Sequence, residues 1–198
     1  MSDILTPLLG GLRDLLAWLK DAQVQGVVIG GVAASLLGRP RVTRDVDAVV
    51  LLETERWEEF LALGASYGFA PRRADALAFA TRSHVLLVMH QPSNISVDIS
   101  FGFLPFEKEC VQRRVFVEVS GVSVPLLTPE DLIVMKAVAH RARDLADIEA
   151  VLDAHPKLDL RRIRRWVREF SSVLEMPEIS DDLEAIIKKR SKSRRKEK

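Results

Sequence analysis

The spacing of apolar and polar residues divides the chain into a first part that mixes helices with strands and a last part that is helical. Leucines recur at helical spacing over about residues 3–24. Short apolar runs predict buried strands at residues 26–31 and 44–53, with a short helix over residues 32–38 between them. A helix is expected over residues 54–68, and Thr54 is the natural N-cap for it.

The later elements complete a mixed pattern. They are strands over residues 84–90 and 94–102, a short helix over residues 106–112, and a hairpin over residues 113–128 that turns near Gly121. From Pro129 onward the pattern is helical. We therefore expect an α/β (α+β) fold with a mixed β-sheet core flanked by helices and a C-terminal helical lobe. The expected boundaries are a core over residues 1–127, a lobe over residues 128–187, and a basic, disordered tail over residues 188–198.

Composition excludes several classes of protein. The 198 residues include one cysteine, Cys110, which excludes a disulfide framework. The N-terminal residues lack a basic region typical of a signal peptide, and no apolar run approaches the length of a membrane span. We expect a cytoplasmic protein that does not enter a membrane.

Positive charge is concentrated near the C-terminus. The net charge is +1, but the tail from Lys188 onward holds eight basic residues and one acid, which leaves about −6 for the rest. The segment "RRIRRWVRE" adds five arginines on a helix, with Trp166 expected to pack inward. Basic segments of this kind bind polyanions such as RNA, although a solvated helix end explains the tail equally well.

Three aspartates carry the candidate chemistry. Asp45 and Asp47 are two apart in a predicted strand, so both side chains lie on one face. Asp98 lies on the polar face of the strand "ISVDISFG". If the two strands are neighbours, three carboxylates converge and can hold two Mg²⁺ ions, or Mn²⁺ in their place. Acids on a solvent-facing strand are the alternative interpretation.

Gly30 and Gly31 end one strand and open a short helix. A glycine pair lets the backbone approach a ligand, and a helix N-terminus offers free N–H groups to a phosphate. A turn without a ligand is the alternative. Each signal is weak alone, and their order and spacing together favour a phosphate-and-metal site.

The segment "GGVAASLLGRPRVTRDVDAVV" resembles the signature of the nucleotidyltransferase superfamily, a Gly-Gly or Gly-Ser turn followed by a D-x-D strand and a later acid within an apolar strand. "GRPRVTRDVD" is similar to the AbiEii-type bacterial group, which includes toxin–antitoxin components. "TPEDLIVMKAVAHRARDLADIEAVL" resembles that group's helical lysine and R-x-K-D motifs, with Arg143 where the group often has lysine. The similarity covers roughly residues 26 to 153.

The helical lobe is predicted to begin with Thr128 as N-cap and Pro129 in the first turn. Four polar residues then recur on one predicted helix face: Lys136, His140, Arg143 and Asp147. The resemblance implies that Lys136 neutralises triphosphate charge with help from Arg141 or Arg143, while Asp144 and Asp147 hold these cations in place. A solvated stripe is the alternative, and it is the interpretation that we prefer for His140.

The leading hypothesis is transfer of a nucleoside monophosphate from an NTP to a hydroxyl of an RNA, tRNA-like, or protein acceptor. One metal ion, held by all three aspartates, would activate the acceptor oxygen, and a second, held by Asp45 and Asp47, would bind the triphosphate. Asp98 would assist deprotonation. A non-catalytic scaffold with a cognate toxin or antitoxin partner and an antibiotic-modifying enzyme are the alternatives. A plain nucleic-acid-binding protein is a further one.

Overall fold

The computed structural model describes residues 2–196, with side chains described for residues 7–191. The chain forms two compact units. The first combines the segment up to Val32 with Val42–Leu127, and the second combines Ala33–Arg41 with the segment from Thr128 onward. Within the described residues, none of the helices is long and apolar enough to cross a bilayer.

A seven-stranded mixed sheet is the centre of the first unit. Its strands are β1 (Gln25–Ile29), β2 (Asp45–Leu51), β3 (Phe69–Pro71), β4 (Val85–His90), β5 (Ile95–Phe101), β6 (Val115–Val119) and β7 (Val122–Leu126). They lie in the order β3-β4-β5-β2-β1-β7-β6. The β2–β5 and β1–β7 pairs are parallel, and the other neighbours are antiparallel. The predicted mixed α/β fold is confirmed.

The helices of the first unit are α1 (Ser2–Asp21), the start of α2 (Gly30–Leu37), α3 (Trp57–Ala65), α4 (Ala76–Ser83) and α5 (Pro105–Gln112). Trp18 of α1 is fully buried, stacks on Phe60 at a centroid distance of 4.2 Å, and donates its indole N–H to the Phe60 carbonyl at 3.0 Å. Gly64 lies against the same indole, where a Cβ would come within 2.5 Å of the ring. This aromatic cluster joins α1 to α3.

The hairpin between β6 and β7 turns at Ser120 and Gly121, as the sequence indicates. Both residues have positive φ, 50° and 80°, which is the conformation of a two-residue hairpin turn with the twist of the flanking strands. A Cβ at Gly121 would meet nothing within 4 Å, so the glycine is needed for its backbone angle.

The second unit consists of the remainder of α2 with α6 (Pro129–Ala139), α7 (Ala142–Ala154), α8 (Leu160–Val173) and α9 (Glu178–Lys196). Thr128 caps α6 as predicted, because its hydroxyl accepts the Asp131 N–H at 3.2 Å. The predicted single helix through residues 136–147 is wrong. His140 adopts a left-handed conformation with φ 50°, which ends α6 and lets α7 begin at Ala142.

Three features of the first unit differ from the prediction. Thr54 is not an N-cap, because a 3-10 turn over Thr54–Arg56 precedes α3 and no side-chain cap bond forms there. Strand β3 and helix α4 lie in a region for which the sequence pattern predicts no element. Strand β3 has three residues, too few for an alternating pattern to be recognised.

The described backbone of the basic tail, residues 188–196, continues helix α9. Lys189 and Arg190 form ion pairs with Glu149 and Asp153 of α7, at 2.9 and 3.4 Å. The predicted disorder does not hold for the backbone of residues 188–196. It stays a prediction for residues 197–198, which lie outside the described residues together with the side chains of residues 192–196.

Candidate active site

Three aspartates come together on the neighbouring parallel strands β2 and β5. Asp47 is paired in register with Asp98, and Asp45 is paired with Ser96 two positions earlier. Directly paired residues project from the same face of a sheet, and so do residues two apart on one strand. The strand adjacency that the sequence analysis required is therefore present, and the three carboxylates share one face.

The carboxylates crowd one another electrostatically. Burial raises the pKa of Asp98, the Arg72 guanidinium lowers it, and the Asp45 carboxylate raises it further, with a net shift above the usual carboxyl value. Asp45 is exposed and accepts a hydrogen bond from the Thr43 hydroxyl at 2.7 Å. A cation placed between these negatively charged carboxylates would stabilise the cluster.

Gly30 fits closely against this cluster. Val28 and Ile29 pair with Ala48 and Asp47, so β1 delivers the turn next to Asp47. Gly30 has φ 62°, and a Cβ built on it would lie 2.6 Å from Asp47 Cγ and 2.9 Å from Asp47 Cβ. Glycine is thus required twice, for the left-handed backbone and for the space that the Asp47 side chain fills. Helix α2 starts at this residue, and its first N–H groups have no intrahelical partners.

Arg72, which the sequence analysis did not identify, also belongs to this cluster. Its Nη2 forms an ion pair with Asp98 Oδ1. Arg72 directly follows the short strand β3. Because the sequence pattern does not predict this strand, it does not place Arg72 beside Asp98. The motif "APRRAD" carries no signal that separates Arg72 from Arg73, which instead binds Asp75 at 2.8 Å.

The donor chemistry of the three aspartates fits a hard divalent cation. Carboxylate oxygens are the preferred ligands of Mg²⁺, and Asp47 and Asp98 lie opposite each other in register. With the side chains oriented as described, however, residues 7–191 contain no group of three His, Cys, Asp or Glu arranged to hold a metal ion. Asp98 is turned toward Arg72, and Asp45 is turned toward Thr43. Coordination of a metal ion therefore requires the two aspartate side chains to leave these partners.

A buried charge network lies within the second unit. Lys136 Nζ contacts Asp144 Oδ1 at 2.7 Å and Asp147 Oδ2 at 2.9 Å, and all three residues are buried. Arg141 adds a second ion pair to Asp144 at 2.8 Å, and Arg41 approaches Asp147 at 3.3 Å. Burial would raise the pKa of Asp144, but the hydrogen bonds and charges of Lys136 and Arg141 outweigh it, and the pKa lies below the ordinary value.

The network reunites residues that the helix break separates. The left-handed His140 turns the chain back after α6. Lys136 of α6 can therefore form ion pairs with residues of α7. His140 itself lies 3.0 Å from Asp182 of α9, in keeping with a structural role. Arg143 is exposed, and in residues 7–191 its side chain makes no hydrogen bond or ion pair. The structure thus gathers Lys136, Asp144 and Asp147 and leaves Arg143 apart.

A cavity of about 230 Å³ lies elsewhere on the same strands. It is lined at the C-terminal ends of β2 and β5 by Leu51 and Phe101, together with Trp57, His84 and Lys108. Leu51 is four residues beyond Asp47, roughly 13 Å along an extended strand. The cavity is therefore separate from the aspartate cluster.

Comparisons with known proteins agree with this architecture. The fold resembles an antigenic nucleotidyltransferase-like protein from Paracoccidioides brasiliensis, with 17% identity, 89% and 92% of the two chains covered and a TM-score of 0.54. It also resembles the antibiotic-resistance factor ANT(2'')-Ia, with 16% identity, 86% and 95% coverage and a TM-score of 0.59. The lincosamide antibiotic adenylyltransferase LnuA shares 11% identity, with 71% and 94% coverage and a TM-score of 0.50.

At these identities the solved structures establish the fold alone. No curated protein matches the sequence. The AbiEii-type assignment stays a prediction. A family model described as a nucleotidyltransferase of unknown function, DUF6036, matches residues 12–192, which is most of the chain. The protein therefore belongs to the DUF6036 family of nucleotidyltransferases.

Proposed function

We propose that the protein is a metal-dependent nucleotidyltransferase that moves a nucleoside monophosphate from an NTP to an acceptor hydroxyl. The acceptor oxygen attacks the α-phosphorus, the bond to the bridging oxygen breaks, and pyrophosphate leaves. The acceptor proton is released to a base or to water, so the products are the nucleotidylated acceptor, pyrophosphate and one proton.

One observation carries the proposal: Asp47 and Asp98 pair in register on parallel strands, directly beside the glycine turn that opens α2. Such a site combines carboxylates that can hold divalent cations with backbone N–H groups that can bind a phosphate. Membership in a nucleotidyltransferase family supports the same reaction class.

The three aspartates would hold Mg²⁺, with Mn²⁺ as a substitute. When bound, the metal supplies positive charge to the transferring phosphate and lowers the pKa of the acceptor hydroxyl. The N–H groups at the start of α2 would orient the triphosphate, and Gly30 would keep the backbone close to it. Asp98, the aspartate of strand β5, is the group that we propose accepts the acceptor proton.

Lys136, Arg143 and Asp144 are the further nucleotide-binding residues that the resemblance implies, and this role stays a prediction. Lys136 is engaged by two carboxylates, so it would have to exchange one of them for a phosphate oxygen. Arg143 is exposed, so its guanidinium is available to an anionic ligand.

RNA is the acceptor that we propose first. Arg161 and Arg168 are exposed on α8 and precede the basic tail, and basic surfaces of this kind bind nucleic-acid phosphates. Two other arginines of α8 contribute less than the sequence indicates, because Arg162 is paired with the buried Asp131 at 2.8 Å and Arg164 with Glu184 at 2.6 Å. A toxin–antitoxin role and a protein acceptor belong to the AbiEii-type prediction.

A small-molecule hydroxyl is the second candidate acceptor. The fold matches ANT(2'')-Ia and LnuA over 95% and 94% of their lengths, and these two proteins are an antibiotic-resistance factor and a lincosamide antibiotic adenylyltransferase. A chain of this size and fold is therefore compatible with a small acceptor.

The test is incubation of the full chain with Mg²⁺ and each of the four α-³²P-labelled NTPs, in separate reactions containing total RNA, cell protein or an aminoglycoside and lincosamide mixture. We expect label on one acceptor class and its loss in Asp47→Ala. Glu58→Ala, which removes an exposed acid of the same unit, is the matched control and should retain activity. Absence of label with every nucleotide and acceptor would favour the non-catalytic scaffold.

A further inference from the structure

Arg72 lies in one row with the candidate metal ligands. Its backbone N–H donates to the Leu87 carbonyl at 3.0 Å, which continues the β3–β4 ladder by one residue. Leu87 is paired with Asp98, and Asp98 with Asp47. Neighbouring strands are about 4.8 Å apart, so the Arg72 backbone lies two strand spacings, roughly 10 Å, from that of Asp98. The extended arginine and the aspartate side chain together span this distance, and the guanidinium reaches Asp98 Oδ1.

Of the two adjacent arginines, Arg72 contacts Asp98 and Arg73 does not. Arg73 turns away, binds Asp75 at 2.8 Å, and places its guanidinium 4.6 Å from the centre of the Phe79 ring. Arg72 and Asp98 are each partly exposed, with side chains 28% and 39% accessible, so solvent and small ions reach the pair. The ion pair can therefore open without disrupting the core.

We propose that Arg72 is a counter-ion for Asp98 that a divalent cation displaces, and that the released guanidinium then binds the triphosphate of the NTP. The inference rests on the proposed function, because it takes the three aspartates as the metal site. The guanidinium contacts Asp98 Oδ1, an oxygen that the cation needs. Its positive charge also opposes the entry of a second cation beside it.

The exchange makes metal binding depend on the nucleotide. A cation that arrives alone has to displace Arg72 and leaves the guanidinium without an anion. A cation that arrives with a triphosphate supplies that anion, and guanidinium groups bind phosphate oxygens with two parallel hydrogen bonds. Arg72 thereby couples the occupation of the metal site to the presence of substrate.

Direct measurement of Mn²⁺ binding tests the proposal without any turnover. Free Mn²⁺ is followed by electron paramagnetic resonance during titration of the full chain, alone and with a non-hydrolysable NTP analogue. Arg72→Met removes the charge and keeps the length of the stem, Arg72→Lys keeps the charge, and Arg73→Met is the matched control. Circular dichroism and thermal melting show that each variant is folded.

We expect Arg72→Met to bind Mn²⁺ alone on the order of tenfold more tightly than the wild type, since a unit charge about 5 Å from a divalent ion contributes an effect of this size even in a water-like dielectric. The gain in Mn²⁺ affinity produced by the NTP analogue should shrink in the same variant. Arg72→Lys should lie nearer the wild type, and Arg73→Met should match it.

Equal or weaker Mn²⁺ binding by folded Arg72→Met would overturn the proposal, because it would show that Arg72 does not compete with the cation. Absence of Mn²⁺ binding in every variant would overturn it as well. Nucleotidyl transfer by the wild type, measured on the same preparation, separates the two claims. Activity with unchanged Mn²⁺ binding in Arg72→Met refutes this inference and leaves the proposed reaction intact.

Discussion

Replacement of Gly30 by alanine should damage the candidate site more than the fold. Gly30 has φ 62°, and the added Cβ would lie 2.6 Å from Asp47 Cγ and 2.9 Å from Asp47 Cβ. Rotation about the Asp47 χ1 bond moves the carboxyl group but leaves Asp47 Cβ in place. The clash therefore requires a backbone shift of the turn or of strand β2, and the aspartate moves with it.

Two contributions to the loss of stability can be estimated separately. A non-glycine residue in the left-handed region costs about 1–2 kcal/mol. For a chain of this size that lowers the melting temperature by roughly 2–8 °C. The contact with Asp47 adds to this cost. Activity should fall much further, on the order of 100-fold, because a displacement of about 1 Å at a positioning group has an effect of that size.

Gly121→Ala is the matched control. Gly121 has φ 80°, so alanine suffers comparable backbone strain, but nothing lies within 4 Å of its added Cβ. We would measure urea unfolding and labelled-NTP transfer for both variants. Both should lose stability, with Gly30→Ala the more destabilised, and only Gly30→Ala should lose most of its activity. Equal activity of the two folded variants would refute the assignment of Gly30 and Asp47 to the active site.

Three further predictions concern buried groups. Asp144→Asn should lower the free energy of unfolding by about 3–5 kcal/mol at pH 7, because it breaks a buried ion pair. The folded-state pKa of Asp144 is depressed, so its contribution to stability is complete above about pH 4 and is lost as pH falls through the folded-state pKa. The free energies of unfolding of wild type and variant in urea should therefore converge in acid. A difference that stays constant with pH would contradict this. Trp18→Ala should cost about 3–5 kcal/mol in the same assay, because the fully buried indole fills the α1–α3 contact; a loss below about 1 kcal/mol would contradict that packing. Arg162→Met should lower the free energy of unfolding by about 3–5 kcal/mol, because the buried Asp131 is left with less compensating charge. Arg161 is exposed, so Arg161→Met should change stability by less than about 0.5 kcal/mol. Equal effects of the two substitutions would argue against the ion pair.

Features that the local sequence determines were predictable. The apolar alternation around Asp98 and the short run before Gly30 identify β5 and β1, and the Ser120–Gly121 turn follows from glycine between two strand patterns. The Thr128 cap was also predictable, because a side-chain cap depends on residues that are close in the sequence. Local chemistry decides each of these features.

Features that depend on contacts distant in sequence were not predictable. The helix break at His140 places a non-glycine residue in the left-handed region, and no local pattern marks it; the resemblance implied that Asp144 and Asp147 hold Lys136, but not that their ion pairs span such a break. Arg72 reaches Asp98 across an intervening strand, and no local pattern distinguishes it from Arg73. Only the three-dimensional register brings such side chains together.

We propose above that Asp45, Asp47 and Asp98 hold divalent metal and nucleotide beside Gly30. Anomalous diffraction from crystals grown with Mn²⁺ and a non-hydrolysable NTP tests it most directly. We predict manganese peaks bonded to oxygens of these three aspartates, with the triphosphate against the first turn of α2. Manganese and nucleotide bound at other residues, or an aspartate cluster that takes up neither at saturating concentrations, would contradict it.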